Sequence, residues 1–455
     1  MIFWLYSALL TCAAVLLAPR ALLRAQRRKD ALPDLRHRLG FLPPLGPGAP
    51  TIWIHAVSVG EVLSTQPLVE KLRANLSPLR LVISTVTATG QQIARNLYSQ
   101  DAITVYFPFD WAFSVRRALD RINPDLVLIM ETEIWPRFLH ECRQRGISVI
   151  LINGRISQRS FNGYRRLGRF AARILNDFSY LLMQSEEDAS RVLALGADPK
   201  RVVVVGNMKW DVSVSPEEEK KLGELSHLFS LSEQSSVIVA ASTAEGEEEI
   251  ILSAFKKLLE NSSSLRTSRL VIAPRRPERF DHVGRIIRAS GLSFARRTRT
   301  TSPSPDTTVI LLDTLGELPA FYHIASVAVL GGSLLGSARH NIAEPLLRGC
   351  PVIVGPGFPE SAIPKWPETA GDLPPVTRLA PASRSRSEDL ASALATAISL
   401  YFPASRNGPL HQLAWFARRY YQGATERCLA YITAALTSRH PSGMNRYSSE
   451  PMTRG

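Results

Sequence analysis

Several polar clusters, each following a short apolar run, are where this chain could do chemistry. His55-Ala-Val-Ser-Val-Gly-Glu61 leaves one such run. Gly60 permits a tight turn and Glu61 then falls near a helix N-terminus. A carboxylate so placed either serves as a general base, if it faces a cleft, or complements the helix dipole. Local sequence leaves both open. Met130-Glu131-Thr132-Glu133-Ile134-Trp135-Pro136 follows another run. Glu133 reads as an acid ahead of a helix that starts at Trp135-Pro136, and Glu131, closer to the sheet, is the better ligand candidate. Asn153 and Arg155, at the end of a third run, are ligand candidates. Arg159, Arg165, Arg166 and Arg169 beyond them fit a solvated helix face. Gly206-Asn207-Met208-Lys209-Trp210-Asp211 presents a cation, Lys209, that can neutralise a leaving phosphate.

The second half repeats the arrangement. Pro274-Arg275-Arg276-Pro277-Glu278-Arg279 ends an apolar run, and planar guanidinium groups suit phosphate. Further on come Asp313-Thr314-Leu315-Gly316-Glu317, Gly331-Gly332-Ser333 and His340-Asn341-Ile342-Ala343-Glu344. A glycine loop opening a helix can cradle an anion through its N–H groups, and a Glu one turn beyond can take a ribose diol. Gly331-Gly332 also reads as a plain tight turn, and Glu344 as a helix N-terminal acid. Taken in order, these loops describe a nucleotide pocket.

The elements that must position these loops are short β-branched runs at 51–57, 81–86, 103–107, 125–130, 147–152, 180–183 and 201–205, with helical stretches such as 65–74, 91–98, 112–122 and 186–195 between them. After a charged, Ser-rich stretch the rhythm restarts at 237–242, 270–274, 309–313, 327–333 and 351–356. Continuous apolar strands alternating with helices indicate parallel sheets covered on both faces. The reading is an α/β protein with two doubly wound Rossmann-like domains, binding at the carboxyl ends of the strands and in a cleft between domains. Its boundaries are 1–19, an apolar anchor; 20–50, a basic connector; 51–212, the N-terminal domain; 213–236, a linker; 237–437, the C-terminal domain; and 438–455, a disordered tail. Segments 296–308 and 380–388 read as mobile basic loops.

Composition narrows the class. At 455 residues, 45% hydrophobic and 21% charged, the chain is globular and too long for one ordinary core. Lys and Arg number 54 against 40 Asp and Glu, a net charge of +14. Such a balance suits nucleic acid, an anionic membrane or a phosphorylated substrate. Nucleic acid is disfavoured, because the arginines lack interleaved aromatics. Four scattered cysteines form no CxxC pair, which fits a reducing compartment better than a disulfide framework. The histidines show no ligand spacing, so no metal is signalled. No GxGxxG follows a strand, and neither GxxxxGK[ST] nor GxSxG occurs. Residues 2–18 are apolar throughout and are followed by Arg20, Arg24, Arg27, Arg28 and Lys29. Positive charge after the apolar run, not before it, predicts an uncleaved anchor or interfacial helix with the rest of the chain cytoplasmic, the alternative being a buried core helix, since the segment is apolar all round.

The ordered set HAVSVGE, STVTATG (84–90), VLIMETEIWP, NGRIS, GNMKWD, PRRPERF, DTLGEL and GGSLL…HNIAEP resembles the 3-deoxy-D-manno-octulosonic acid (Kdo) transferases over roughly residues 1–435. The resemblance implies a metal-independent, inverting glycosyltransferase of GT-B architecture with no cofactor. CMP-Kdo would be its donor and the lipid A precursor (lipid IVA) its acceptor, in lipopolysaccharide core biosynthesis. Glu61 would be the proton acceptor, and Glu131 and Lys209 would stabilise the transition state. Pro274, Arg275, Leu315, Gly316, Glu317, Asn341, Ile342, Ala343 and Glu344 would hold CMP. The location implied is the cytoplasmic face of the inner membrane, against an anionic leaflet, with no obligate protein partner. Arg339 stands where the family commonly has Gly and Ala343 where it has Leu, and the proline-rich 357–375 stretch is atypical. The alternatives are another GT-B lipid glycosyltransferase using a different nucleotide sugar, or a polybasic binding protein without catalysis.

Overall fold

The computed structural model describes residues 6–8, 10–12, 16, 35–46, 48–212, 216–231, 236–302, 306–336, 340–364, 366, 375–381, 386–401 and 409–439. The chain divides into two compact units, Met1–Val212 with Tyr421–Gly455, and Ser213–Tyr420.

The first unit holds seven strands: β1 (Thr51–His55), β2 (Arg80–Thr85), β3 (Ile103–Tyr106), β4 (Leu126–Met130), β5 (Ser148–Gly154), β6 (Tyr180–Met183) and β7 (Val202–Val204). They pair in the order β3-β2-β1-β4-β5-β6-β7, every ladder parallel. β1 and β4 are buried along their whole lengths, which is why their sequences run apolar without alternation. Successive side chains still divide between two faces. Trp53, Val127 and Ile129 pack with Phe107, Phe138 and Phe178 on one. Ile52, Ile54, Leu126 and Leu128 pack with Leu68, Leu72 and Ile432 on the other.

The second unit repeats the plan with β8 (Val237–Thr243), β9 (Arg269–Pro274), β10 (Phe294–Arg296), β11 (Val309–Leu311), β12 (Ala325–Leu330), β13 (Val352–Val354) and β14 (Val376–Arg378). Their order is β10-β11-β9-β8-β12-β13-β14, again parallel throughout. In both sheets the order reverses beside the first strand, and ligands bind at the carboxyl side of such a switch point.

Several expectations need correction. The C-terminal domain does not run to residue 437: helix Ala424–Arg439 belongs to the first unit, where Ala424, Cys428, Ile432 and Leu436 are buried. Their spacing of four residues makes one apolar stripe. The 213–236 linker contains a helix, Pro216–Leu228. Its Glu218 accepts from Arg348 Nε at 2.7 Å and Nη2 at 2.5 Å, and its Leu225 is buried. The 296–308 loop is anchored at its start, where Arg296 pairs with Asp281 and Asp313 and Arg297 with Glu317. Within 380–388, Arg386 begins helix Arg386–Tyr401. Part of the basic connector is packed: Leu42 is in the core, and buried Arg38 donates to the carbonyls of Phe107 and Val86. The tail beyond Arg439, most of segment 2–18, Arg339 and most of 365–374 lie outside the described residues. Among the described residues no helix is long and apolar enough to cross a membrane.

Candidate active site

At the first unit's switch point, β1 and β4 lie side by side and their exits bring Glu61 and Glu131 close enough to act on each other electrostatically. β1 ends at His55, and the chain turns through Ser58 into the short helix Val59–Ser64. Glu61 sits in its first turn, 9% exposed. Its Oε2 accepts from the Val57 N–H at 2.9 Å and its Oε1 from the Ser58 hydroxyl at 2.9 Å. The carboxyl is nevertheless pushed up to about 7. Burial contributes most, followed by the negative charge of Glu131 and, more weakly, Glu133; the Val57 and Ser58 hydrogen bonds oppose the shift. A carboxylate that only complemented a helix dipole would be held down, not raised. Glu61 thus has the proton affinity a general base needs near neutral pH.

Glu131 is the first residue after β4 and takes a left-handed backbone, φ 55°. Its N–H bonds to the Ile152 carbonyl at 3.0 Å, and its Oε1 receives Lys209 Nζ at 2.7 Å. Lys209 rides on a single helical turn, Met208–Trp210, capped by the Asn207 side chain. Asn153, also left-handed at φ 53°, ties that turn to β5: its Oδ1 accepts the Met208 N–H at 3.0 Å. So Glu61, Glu131, Lys209 and Asn153, chosen from four separate segments, form one constellation. Glu133 is partly buried and raised by that burial. Arg159, Arg165, Arg166 and Arg169 are exposed on the surface, as a solvated face requires.

In the second unit the expected nucleotide-holding residues lie at strand ends or in the loops that follow them. Pro274 is the last residue of β9, and Arg275 follows it, exposed. Leu315 is 75% exposed after β11, and Gly316 is left-handed at φ 86°. The Glu317 carboxylate is taken by Arg297 at 3.0 Å on both oxygens, so what this loop presents is Leu315 and backbone. Between β12 and β13, Asn341 Oδ1 caps Ala343 N–H at 3.1 Å and its Nδ2 donates to Glu344 at 3.1 Å. Ile342 and Ala343 are buried, and burial raises the Glu344 carboxyl. His340 is lowered to about 4 by burial first and by the Arg275 charge second, which makes the β9 exit electrostatically adjacent to this loop.

In the glycine loop after β12, the N–H groups of Gly331, Gly332 and Leu334 are already engaged within the protein. Buried Glu247 accepts the N–H of Gly332 on Oε2 and of Leu334, at 2.9 Å, on Oε1. A Cβ on Gly331 would lie 2.5 Å from the Cα of Thr243. The tight-turn reading therefore holds, and Glu247, unremarked in the sequence, does the anchoring. Neither it nor the Val57 and Ser58 donors to Glu61 carries a local signal; the EGEEE run around Glu247 reads as an ordinary acidic helix start.

Two parallel seven-stranded α/β units with polar strand-exit loops define the class as GT-B-like. A glycosyltransferase structure from Rickettsia africae ESF-5 matches with a TM-score of 0.58, 12% identical, covering 86% of this chain and 99% of that one, a likeness of fold. The family model of the 3-deoxy-D-manno-octulosonic-acid transferases (kdotransferases) matches residues 33–212. The 3-deoxy-D-manno-octulosonic acid transferase of Haemophilus influenzae is 33% identical over 369 residues, covering 79% of this chain and 83% of its own length. That of Bordetella pertussis is 32% identical over 400 residues, covering 86% and 89%. The chain belongs to the Kdo transferase family.

Proposed function

We propose that this protein transfers Kdo from CMP-Kdo to the lipid A precursor by a single inverting displacement. Glu61 accepts the proton of the attacking acceptor hydroxyl as that oxygen bonds to the anomeric carbon. The bond from that carbon to the phosphate oxygen breaks, and CMP leaves with the electron pair. Lys209, held by Glu131, offsets the negative charge that develops on the leaving phosphate. Pro274, Arg275, Leu315 to Glu317 and Asn341 to Glu344 hold CMP, with Glu317 acting through its backbone because its carboxylate is engaged by Arg297. The observation that carries this reading is the buried Glu61 carboxyl, raised to about 7 beside the Glu131–Lys209 pair.

The +14 charge suits a bisphosphorylated acceptor in an anionic leaflet. Each basic residue near such a surface contributes about 1 kcal/mol of adhesion. We place the protein on the cytoplasmic face of the inner membrane, held there by residues 2–18 and the basic stretch after them. Incubation with CMP-Kdo and tetraacyl lipid A precursor, followed by mass spectrometry, tests the assignment. The expected product is heavier by one or more Kdo units. A folded protein that binds CMP without transfer would reject the acceptor, and one that does not bind CMP would reject the donor.

A further inference from the structure

The loop that carries Lys209 is gripped by a helix more than two hundred residues away in sequence. Asp211, two residues beyond Lys209, accepts the Gly423 N–H at 2.6 Å on one carboxylate oxygen and the Thr425 N–H at 2.5 Å on the other. It thereby caps helix Ala424–Arg439 from outside that helix. On the near side of Lys209, Arg427 Nε donates to the Val205 carbonyl at 2.7 Å. The same guanidinium fills the space over two left-handed glycines. A Cβ on Gly206 (φ 89°) would come within 3.0 Å of it and one on Gly423 (φ 96°) within 2.9 Å. Trp210 stacks on Tyr421 with centroids 4.6 Å apart, and Met208 is buried with Ala424 and Cys428. Segment 205–211 is therefore held at both ends and in the middle by residues 421–428, and Lys209 projects from it to Glu131.

The geometry points to Asp211 and Arg427 as positioning residues for the transfer reaction, acting by locking Lys209 against Glu131. This rests on the role proposed for Lys209. The clamp has a signature that a merely structural contact lacks. With Lys209 held, the charge of Glu131 is partly neutralised; with Lys209 released, that charge acts more fully on Glu61 and raises its proton affinity further.

The test uses the full-length protein and measures kcat, donor KM and the pH dependence of kcat/KM. Asp211→Ala should lower kcat by about 10²-fold, the loss a misplacement near 1 Å produces, with donor KM little changed. Its acid limb should move to higher pH. Asp211→Asn keeps one acceptor oxygen and should recover part of the rate, and Arg427→Lys, which loses the fork between the glycines, should show the same limb shift in weaker form. Combining Asp211→Ala with Lys209→Ala should cost no more than Lys209→Ala alone. If Asp211→Ala does not fold, the Asn and Lys variants carry the test unaided. Wild-type kcat and an unmoved acid limb in these variants, alongside an impaired Lys209→Ala, would overturn the clamp. Full activity in Lys209→Ala would overturn the catalytic reading on which the clamp rests.

Discussion

A carboxyl group that takes a proton near neutral pH needs a folded-state affinity far above that of a free glutamate. Glu61 obtains it from burial first and from Glu131 and Glu133 next, against the pull of Val57 and Ser58. Two consequences can be measured. Glu131→Gln removes a neighbouring charge, so the acid limb of kcat/KM should move to lower pH even as turnover falls. The second concerns stability. Glu61 is raised in the folded state, so its stabilising contribution is complete below the unfolded value and is lost as pH rises through about 7. Glu61→Gln should therefore melt higher than wild type at pH 8, with the gain vanishing near pH 4. Scanning calorimetry at the two pH values checks this, and an equal Tm difference at both would contradict the shift.

At the scale of elements, the strands were legible wherever burial on both faces forces an apolar run, as in LVLIM of β4 and VIVAAST of β8. β10 (FAR) and β14 (VTR) carry no such run, because three-residue strands at the two sheet edges have one neighbour and little apolar content. Helix Ala424–Arg439 shows its apolar stripe in the sequence, yet a stripe states that a face is buried without stating against what. Proximity in sequence assigned it to the second domain, and packing assigns it to the first. Ile432, fully buried, reports on that packing. Ile432→Ala should lower stability by about 2–5 kcal/mol, read by denaturant unfolding, and a near-neutral result would place the helix elsewhere. Loop-to-loop support was equally invisible. Gly90 lies in the first turn of helix Ala88–Tyr98, which backs the Glu61 loop, and a Cβ there would lie 2.7 Å from the Thr87 hydroxyl oxygen and 3.2 Å from the Val57 carbonyl oxygen. Gly90→Ala should thus impair transfer by displacing Val57, a donor to Glu61, while leaving CMP binding intact; wild-type turnover would show that the turn gives way instead.

For the whole molecule, the candidate site was legible because its chemistry-bearing side chains are unusual residues at strand exits: Glu61, Glu131 and Lys209 stand out from the apolar runs before them. What the one-dimensional order hid is that the first unit is discontinuous, built from residues 1–212 and 421–455. A fragment ending at Val212 would expose the face of Leu68, Leu72 and Leu126 that the last helix covers. It should aggregate or unfold, whereas joining residues 421–439 to it through a flexible linker should restore a cooperative transition. A stable, monomeric 1–212 fragment would refute the division. The charge of the whole chain has its own consequence: binding of the intact protein to anionic vesicles should exceed binding to neutral ones and weaken as salt rises.

The most direct test compares kcat/KM for transfer by the wild type and Glu61→Gln from pH 5 to 9, with CMP-Kdo as donor and the lipid A precursor as acceptor. The wild type should show an acid limb near the raised Glu61 value, about 7. Glu61→Gln should be slower by about 10²-fold or more, lack that limb and bind CMP as tightly as the wild type. A Glu61→Gln protein that transfers Kdo at the wild-type rate, or keeps the same acid limb, would contradict Glu61 as the base.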